Sequence, residues 1–73
     1  MKEIFESVAY RLSLLTDFDV SVNESGEECL LYFRKNREIV YLINISKLYK
    51  ATLVLDTKTL VEICKLVLKS KVL

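Results

Sequence analysis

The sequence predicts an α+β domain with the order α-β-β-β-β-α, in which an antiparallel meander sheet carries two helices packed on one face. Three observations lead to this prediction. Apolar residues recur with the 3.6-residue period of a helix near both ends of the chain. They alternate with polar residues over 18–23, as in a half-buried strand. Two apolar runs, 29–33 and 39–43, flank the charged cluster RKNR, which indicates a β-hairpin.

The first half of the chain divides into a helix, a strand and a turn. The helix is predicted over 2–15, and its apolar stripe consists of Ile4, Phe5, Val8, Leu12 and Leu15. Residues 18–23 follow as a strand at or near the edge of the sheet. The only glycine, Gly26, lies in the predicted turn 24–27 (ESGE).

The second half is predicted to add one strand and one helix after the hairpin. Residues 51–55 (ATLVL) favour a fourth strand because β-branched and large apolar side chains are typical of sheets. The last helix is predicted over 57–71, with Asp56 or Thr57 as its N-cap. Its apolar stripe consists of Leu60, Ile63, Cys64 and Val67.

Composition indicates one small compact domain over residues 1–73. The chain is 52% hydrophobic, with one Gly and no Pro, which excludes a disordered or low-complexity segment. Its longest apolar runs are far shorter than the roughly 20 residues that span a bilayer. The first residues lack the continuous apolar stretch of a secretion signal, so we expect an intracellular protein. The complete absence of Gln, His, Trp and Pro suits an AT-rich genome, a thermophile or a viral origin.

The residues that enzymes commonly use are scarce in this sequence. It contains no His, one Gly and two Cys without a CxxC spacing, which argues against nucleophilic triads, phosphate-binding loops and zinc sites. We therefore expect no enzyme activity, no metal, no cofactor and no small-molecule substrate. Two alternatives stay open. Cys29 and Cys64 are either free thiols or a bridge, and Asp17 with Asp19 form either a solvated strand face or a carboxylate pair.

Charge is distributed unevenly along the chain although the net charge is only +1. Residues 1–28 hold two basic and seven acidic side chains and carry −5, whereas residues 29–73 hold nine basic and three acidic side chains and carry +6. Such polarity suits an acidic partner, a nucleic acid or a second copy of the same chain.

The hairpin is predicted to expose more apolar surface than one chain covers. With a loop at 35–36, Tyr32 pairs with Ile39 and Leu30 pairs with Tyr41. One face then carries Leu30, Tyr32, Ile39, Tyr41 and Ile43, and the other carries Cys29, Leu31, Phe33, Val40 and Leu42. Because two helices cover only one of these faces, the other needs a partner.

Two functions follow from this hairpin. The first is protein–protein assembly, as a homodimer or as a small subunit of a larger complex, since Tyr and Arg are enriched at interface hot spots. The predicted interface residues are Leu30, Tyr32, Arg34, Arg37, Ile39, Tyr41 and Ile43. The alternative is single-stranded nucleic-acid binding, in which tyrosines stack on bases and a basic rim contacts phosphates. The residues predicted for it are Tyr32, Arg34, Lys35, Arg37, Tyr41, Lys47 and Lys50.

Overall fold

A computed structural model describes residues 2–53 and 56–72, and it confirms the α+β class with one antiparallel sheet. The elements within those ranges are α1 (Lys2–Leu15), β1 (Asp19–Ser25), β2 (Glu28–Lys35), β3 (Glu38–Asn44), α2 (Ile45–Thr52) and α3 (Thr57–Val72). The strands lie in the order β1-β2-β3, with β2 at the centre. The prediction of four strands was wrong, because the described ranges contain three strands and three helices.

The core lies between the helices and one face of the sheet, which we call the inner face. Leu31 and Phe33 of β2 are completely buried in it, together with Val8 and Leu12 of α1. The other buried apolar residues are Phe5, Ala9, Val20, Ile43, Ile45, Leu60, Val61, Cys64 and Leu68. α1 lies against β1 and β2, α2 lies against β2, and α3 lies against α1. All the buried side chains of the sheet therefore point to the inner face.

The first helix has the predicted bounds, but its buried stripe differs from the predicted one at the C-terminal end. Phe5, Val8, Ala9 and Leu12 are buried with the spacing i, i+3, i+4, i+7. Leu15 was also predicted in this stripe, but its side chain is exposed. Leu15 is the last residue of α1, and it lines an open groove between α1 and α3.

The last helix begins at the predicted cap. The Asp56 carboxylate accepts hydrogen bonds from the Thr59 N–H at 3.0 Å and from the Thr59 hydroxyl at 2.7 Å, which holds the pKa of Asp56 below its ordinary value. The predicted stripe is rotated, however. Ile63 and Val67 are only half-buried, whereas Val61 and Leu68 are buried, because α3 packs against α1 rather than directly on the sheet.

A helix replaces the start of the predicted fourth strand. Residues 51 and 52 belong to α2, Leu53 ends it in a left-handed conformation, and 54–55 lie outside the described residues. The Asn44 side chain caps α2 by accepting a hydrogen bond from the Lys47 N–H at 3.0 Å. The apolar side chains Ile45, Leu48 and Tyr49 then follow helical spacing toward the core. Capping and burial therefore outweigh the strand preference of ATLVL.

Candidate assembly surface

The hairpin turn lies one residue later than predicted. Asn36 and Arg37 form it, with backbone φ angles of 54° and 70°, the pattern of a type I′ turn. Lys35 pairs with Glu38 across this turn. The predicted loop at 35–36 was wrong because a type I′ turn needs left-handed conformations at both central residues, and Asn tolerates that conformation better than Lys.

An irregularity in β3 sets which side chains reach each face. Phe33 pairs with Tyr41 and Arg34 pairs with Ile39, so Val40 is an extra residue that forms a β-bulge. Tyr41 and Ile43 consequently lie on the inner face. Ile43 is buried, and the Tyr41 ring packs against the Phe33 ring with centroids 6.0 Å apart. The prediction that Tyr41 and Ile43 share a face with Tyr32 was wrong.

The opposite side of the sheet, which we call the outer face, is apolar and partly open. It is formed by Asp19, Ser21, Asn23, Ser25, Glu28, Leu30, Tyr32, Arg34, Ile39, Leu42 and Asn44. The side chains of Ile39 and Leu42 are 48% and 50% exposed. Leu30 and Tyr32 lie beside them in the central strand and are half-buried. An apolar patch therefore covers the β2–β3 part of the outer face, whereas β1 contributes polar side chains.

The two charged residues that the central strand presents to the outer face are held by neighbours on that face. The Arg34 guanidinium lies over the Tyr32 ring, 5.6 Å from its centroid, and its Nη1 donates a hydrogen bond to the Ser21 hydroxyl at 3.2 Å. At the other end of the strand, the Asn44 amide donates a hydrogen bond to the Glu28 carboxylate. Because β2 rises about 3.3 Å per residue, these two charges lie on the order of 20 Å apart.

The residues of the nucleic-acid alternative fall into separate groups. Arg34, Lys35 and Arg37 cluster at the hairpin turn. Lys47 and Lys50 lie on α2, beyond the opposite end of β3. Tyr41 lies on the inner face, so Tyr32 is the one of the two predicted stacking tyrosines on the outer face. The structure therefore does not bring the predicted rim and both tyrosines onto one surface.

The two cysteines are free thiols in different surroundings. Cys64 is completely buried in the core, and burial raises the pKa of its thiol to about 11. Cys29 is half-buried, and its backbone N–H donates a hydrogen bond to the Ser46 hydroxyl at 2.7 Å. A thiol whose pKa is this high is mostly protonated at neutral pH, so Cys64 is a poor nucleophile and acts as a small core residue.

Open grooves lie away from the outer face. One of them has a volume of about 290 Å³ and lies between the end of α1 and α3, where Phe18 and Leu68 line it beside Lys65 and Lys69. No three His, Cys, Asp or Glu side chains come together as a metal site in residues 2–53 and 56–72. None of the helices in those ranges is long and apolar enough to cross a membrane.

Sequence reasoning missed three members of the outer face, namely Glu28, Leu42 and Asn44. Asn36 carried a signal for the position of the turn, because Asn is favoured at the first central position of a type I′ turn. Placing Asn36 there shifts the loop to its observed position, but this shift alone would leave Leu42 opposite Leu31 on the inner face. The bulge at Val40 has no comparable local signature, and it alone decides the side on which Leu42 emerges.

Comparison of the chain with protein-family models, curated proteins and solved structures finds no match.

Proposed function

We propose that this chain is a non-enzymatic assembly module that binds another protein chain through the outer face of its sheet, as a homodimer or as a small subunit of a complex. The observation that carries the proposal is the apolar patch beside the central strand. Ile39 and Leu42 are each about half exposed there, next to Leu30 and Tyr32. An antiparallel sheet with one face in water ordinarily places polar side chains on that face.

Burial of this patch supplies a driving force for assembly. Full burial of a Leu or Ile side chain contributes about 1.5–3 kcal/mol, so covering the exposed halves of Ile39 and Leu42 contributes roughly 1 kcal/mol each. Tyr32 and Arg34 add side chains of the types that dominate interface hot spots. The polar side chains of Ser21 and Asn23 on β1 provide the rim that such interfaces have.

The absence of histidine and the chemistry of the two cysteines support the non-enzymatic part of the proposal. The sequence has no His, and the raised pKa of Cys64 leaves that thiol protonated at neutral pH. Cys29 lines one groove together with Glu27 and Lys50, but the sequence has no His to activate that thiol. Both cysteines are free, as is typical of a reducing compartment, so the proposal includes an intracellular setting.

The solution mass tests the proposal. We expect the average mass from sedimentation equilibrium to rise with protein concentration, and Leu42→Lys to hold the chain at the monomer mass because it places a charge in the patch. Leu66→Lys is the matched control, since Leu66 is 65% exposed on α3, away from the outer face. A wild-type chain that stays monomeric at every concentration, and also migrates as a free monomer in a cell extract, contradicts the proposal.

A second candidate function is binding of single-stranded nucleic acid. It is favoured by the stacking of Arg34 on Tyr32 at the open face, close to Lys35 and Arg37 in the hairpin turn. An arginine that lies on an aromatic ring offers its planar guanidinium to a stacking base and its charge to a phosphate. Retention on a single-stranded oligonucleotide should then fall with salt, and Arg34→Ala with Arg37→Ala should abolish it. Retention that changes neither with salt nor with the double substitution excludes this function.

A further inference from the structure

The side chains that β2 presents to the outer face follow a self-complementary order. Glu28 is acidic, Leu30 and Tyr32 are apolar, and Arg34 is basic. We propose that the outer face binds a second copy of this chain with its β2 strands antiparallel, so that Glu28 of each copy meets Arg34 of the other. This inference rests on the proposed assembly function and names its partner and its geometry.

A two-fold axis through the middle of this row of side chains gives each of them a complementary side chain on the other copy. The axis passes between Leu30 and Tyr32, places Leu30 of each copy against Tyr32 of the other, and creates two Glu28–Arg34 contacts. A homodimer with two-fold symmetry uses the same patch on both subunits, which requires such self-complementarity. Parallel strands would instead set Arg34 against Arg34 and Glu28 against Glu28, and like charges in contact oppose association.

Both charged groups are already oriented before association. Arg34 is held by the Tyr32 ring and the Ser21 hydroxyl, and Glu28 is held by the Asn44 amide. Ordering a long side chain at an interface costs free energy, and a side chain that is fixed beforehand avoids part of that cost. The exposed Asp19 is the cross-strand neighbour of Arg34, yet the guanidinium is directed to Ser21 and Tyr32.

The flanking strands extend the contact on one side. Ile39 and Leu42 of β3 add apolar surface next to Leu30 and Tyr32, whereas β1 adds polar side chains. Three strands of seven or eight residues make a face about 25 Å long and about 14 Å wide. Two such faces bury roughly 700 Å², below the size of most stable interfaces, so we expect weak association with a dissociation constant in the micromolar range or above.

Single charge reversals and their mixture test this geometry. We expect Glu28→Lys alone and Arg34→Glu alone to weaken self-association at least about tenfold, because each places two like-charged pairs in the interface. When the two variants are mixed, both charged contacts between the copies again join an acidic side chain to a basic one. The mixture should therefore associate about as tightly as wild type. Sedimentation equilibrium of each variant and of an equimolar mixture measures all three affinities.

The matched control uses charges on the helical side. Glu62 and Lys65 form an ion pair on α3 at 3.8 Å, and reversing either charge should leave self-association unchanged, alone or mixed. The milder changes Glu28→Gln and Arg34→Gln provide a second readout if a reversal disturbs folding, since Gln retains an acceptor for Asn44 or a donor for Ser21. Each should weaken self-association while circular dichroism stays that of the wild type.

The outcomes separate the two proposals. If the wild-type chain dimerises and no change at Glu28 or Arg34 alters its affinity, the antiparallel geometry is wrong. Assembly through the outer face is not contradicted by that result. Reversals that weaken association without rescue in the mixture also overturn the antiparallel geometry. A wild-type chain that never self-associates overturns the inference, and the extract experiment then decides whether the chain assembles with a different protein.

Discussion

The Ser13 hydroxyl of α1 joins the helix to the edge of the sheet by hydrogen bonding to both backbone groups of Val20. It accepts a hydrogen bond from the Val20 N–H at 2.9 Å and lies 3.2 Å from the Val20 carbonyl oxygen. Both groups point away from β2, since Val20 pairs with Phe33 without using them. One serine thus occupies part of an edge that would otherwise be open to another strand.

We expect Ser13→Ala to destabilise the protein by about 1–2 kcal/mol, because it leaves a partly buried N–H group without its acceptor. Urea denaturation followed by circular dichroism measures the change. Ser70→Ala is the matched control, since the exposed Ser70 hydroxyl only donates to a carbonyl of its own helix. Equal effects of the two substitutions would contradict the role of Ser13.

The turn residue Arg37 is held in the left-handed region, with φ at 70°. Residues other than glycine lose about 1–2 kcal/mol in that conformation. We therefore expect Arg37→Gly to stabilise the protein by about 1 kcal/mol, after allowance for the greater freedom of glycine in the unfolded chain. Lys35→Gly, in the adjoining strand, should instead destabilise it by about 0.5–1 kcal/mol. Urea denaturation of both variants measures these changes, and a loss of stability in Arg37→Gly would contradict the type I′ turn.

Leu53 offers the same test at the end of α2. Its φ is 55°, its N–H donates to the Tyr49 carbonyl at 2.7 Å, and its side chain is 77% exposed. Glycine is the usual residue at such a position. We expect Leu53→Gly to raise the free energy of unfolding by about 1 kcal/mol, and Ala51→Gly within the helix to lower it by a similar amount. Thermal denaturation of both variants measures these changes. A Leu53→Gly variant that is less stable than the Ala51→Gly variant would contradict this role of Leu53.

The raised pKa of Cys64 predicts a loss of stability in alkali. An unfolded thiol ionises near pH 9.0, whereas the buried thiol ionises near pH 11, so unfolding releases a proton between these values. The contribution of Cys64 is fully present below pH 9 and is lost as the pH rises toward 11, by at most about 3 kcal/mol. Cys64→Ala should flatten this part of the pH profile of the free energy of unfolding. An unchanged slope would contradict the assignment.

The same burial predicts selective thiol labelling. At a mildly alkaline pH without denaturant, a thiol reagent should modify the half-buried Cys29 faster than Cys64, and both should react in urea. Mass spectrometry of each cysteine identifies the site. Equal rates in the folded protein would show that Cys64 is accessible.

Local patterns were sufficient for the elements that depend on nearby residues. The bounds of α1, the cap at Asp56 and the glycine turn all follow from spacing over a few positions. The glycine turn places Gly26 at φ 63° between the paired residues Ser25 and Glu28, as in a type II′ hairpin. Propensity and capping act within one turn of chain, so a single sequence reveals them.

Features that depend on tertiary contacts were harder to predict. Residues 51–55 have a strong strand preference, but α2 is anchored by its cap at Asn44 and by Ser46, which accepts a hydrogen bond from the Cys29 N–H of β2. That contact spans 17 positions, so no local window contains it. The side on which Tyr41 lies was mispredicted because the bulge at Val40, and not the position of the turn, decides it, and this bulge has no local signature.

The bulge at Val40 has a consequence for how this protein tolerates change. By adding one residue, it reverses the phase of β3, so that Ile39 before it and Leu42 after it both face solvent while Tyr41 remains in the interior. A strand paired without this bulge would set Tyr41 opposite Tyr32 and Leu42 opposite Leu31, so Tyr41 would meet water and Leu42 would enter the interior. One residue therefore couples the composition of the exposed face to that of the interior, and neither can change its register without the other.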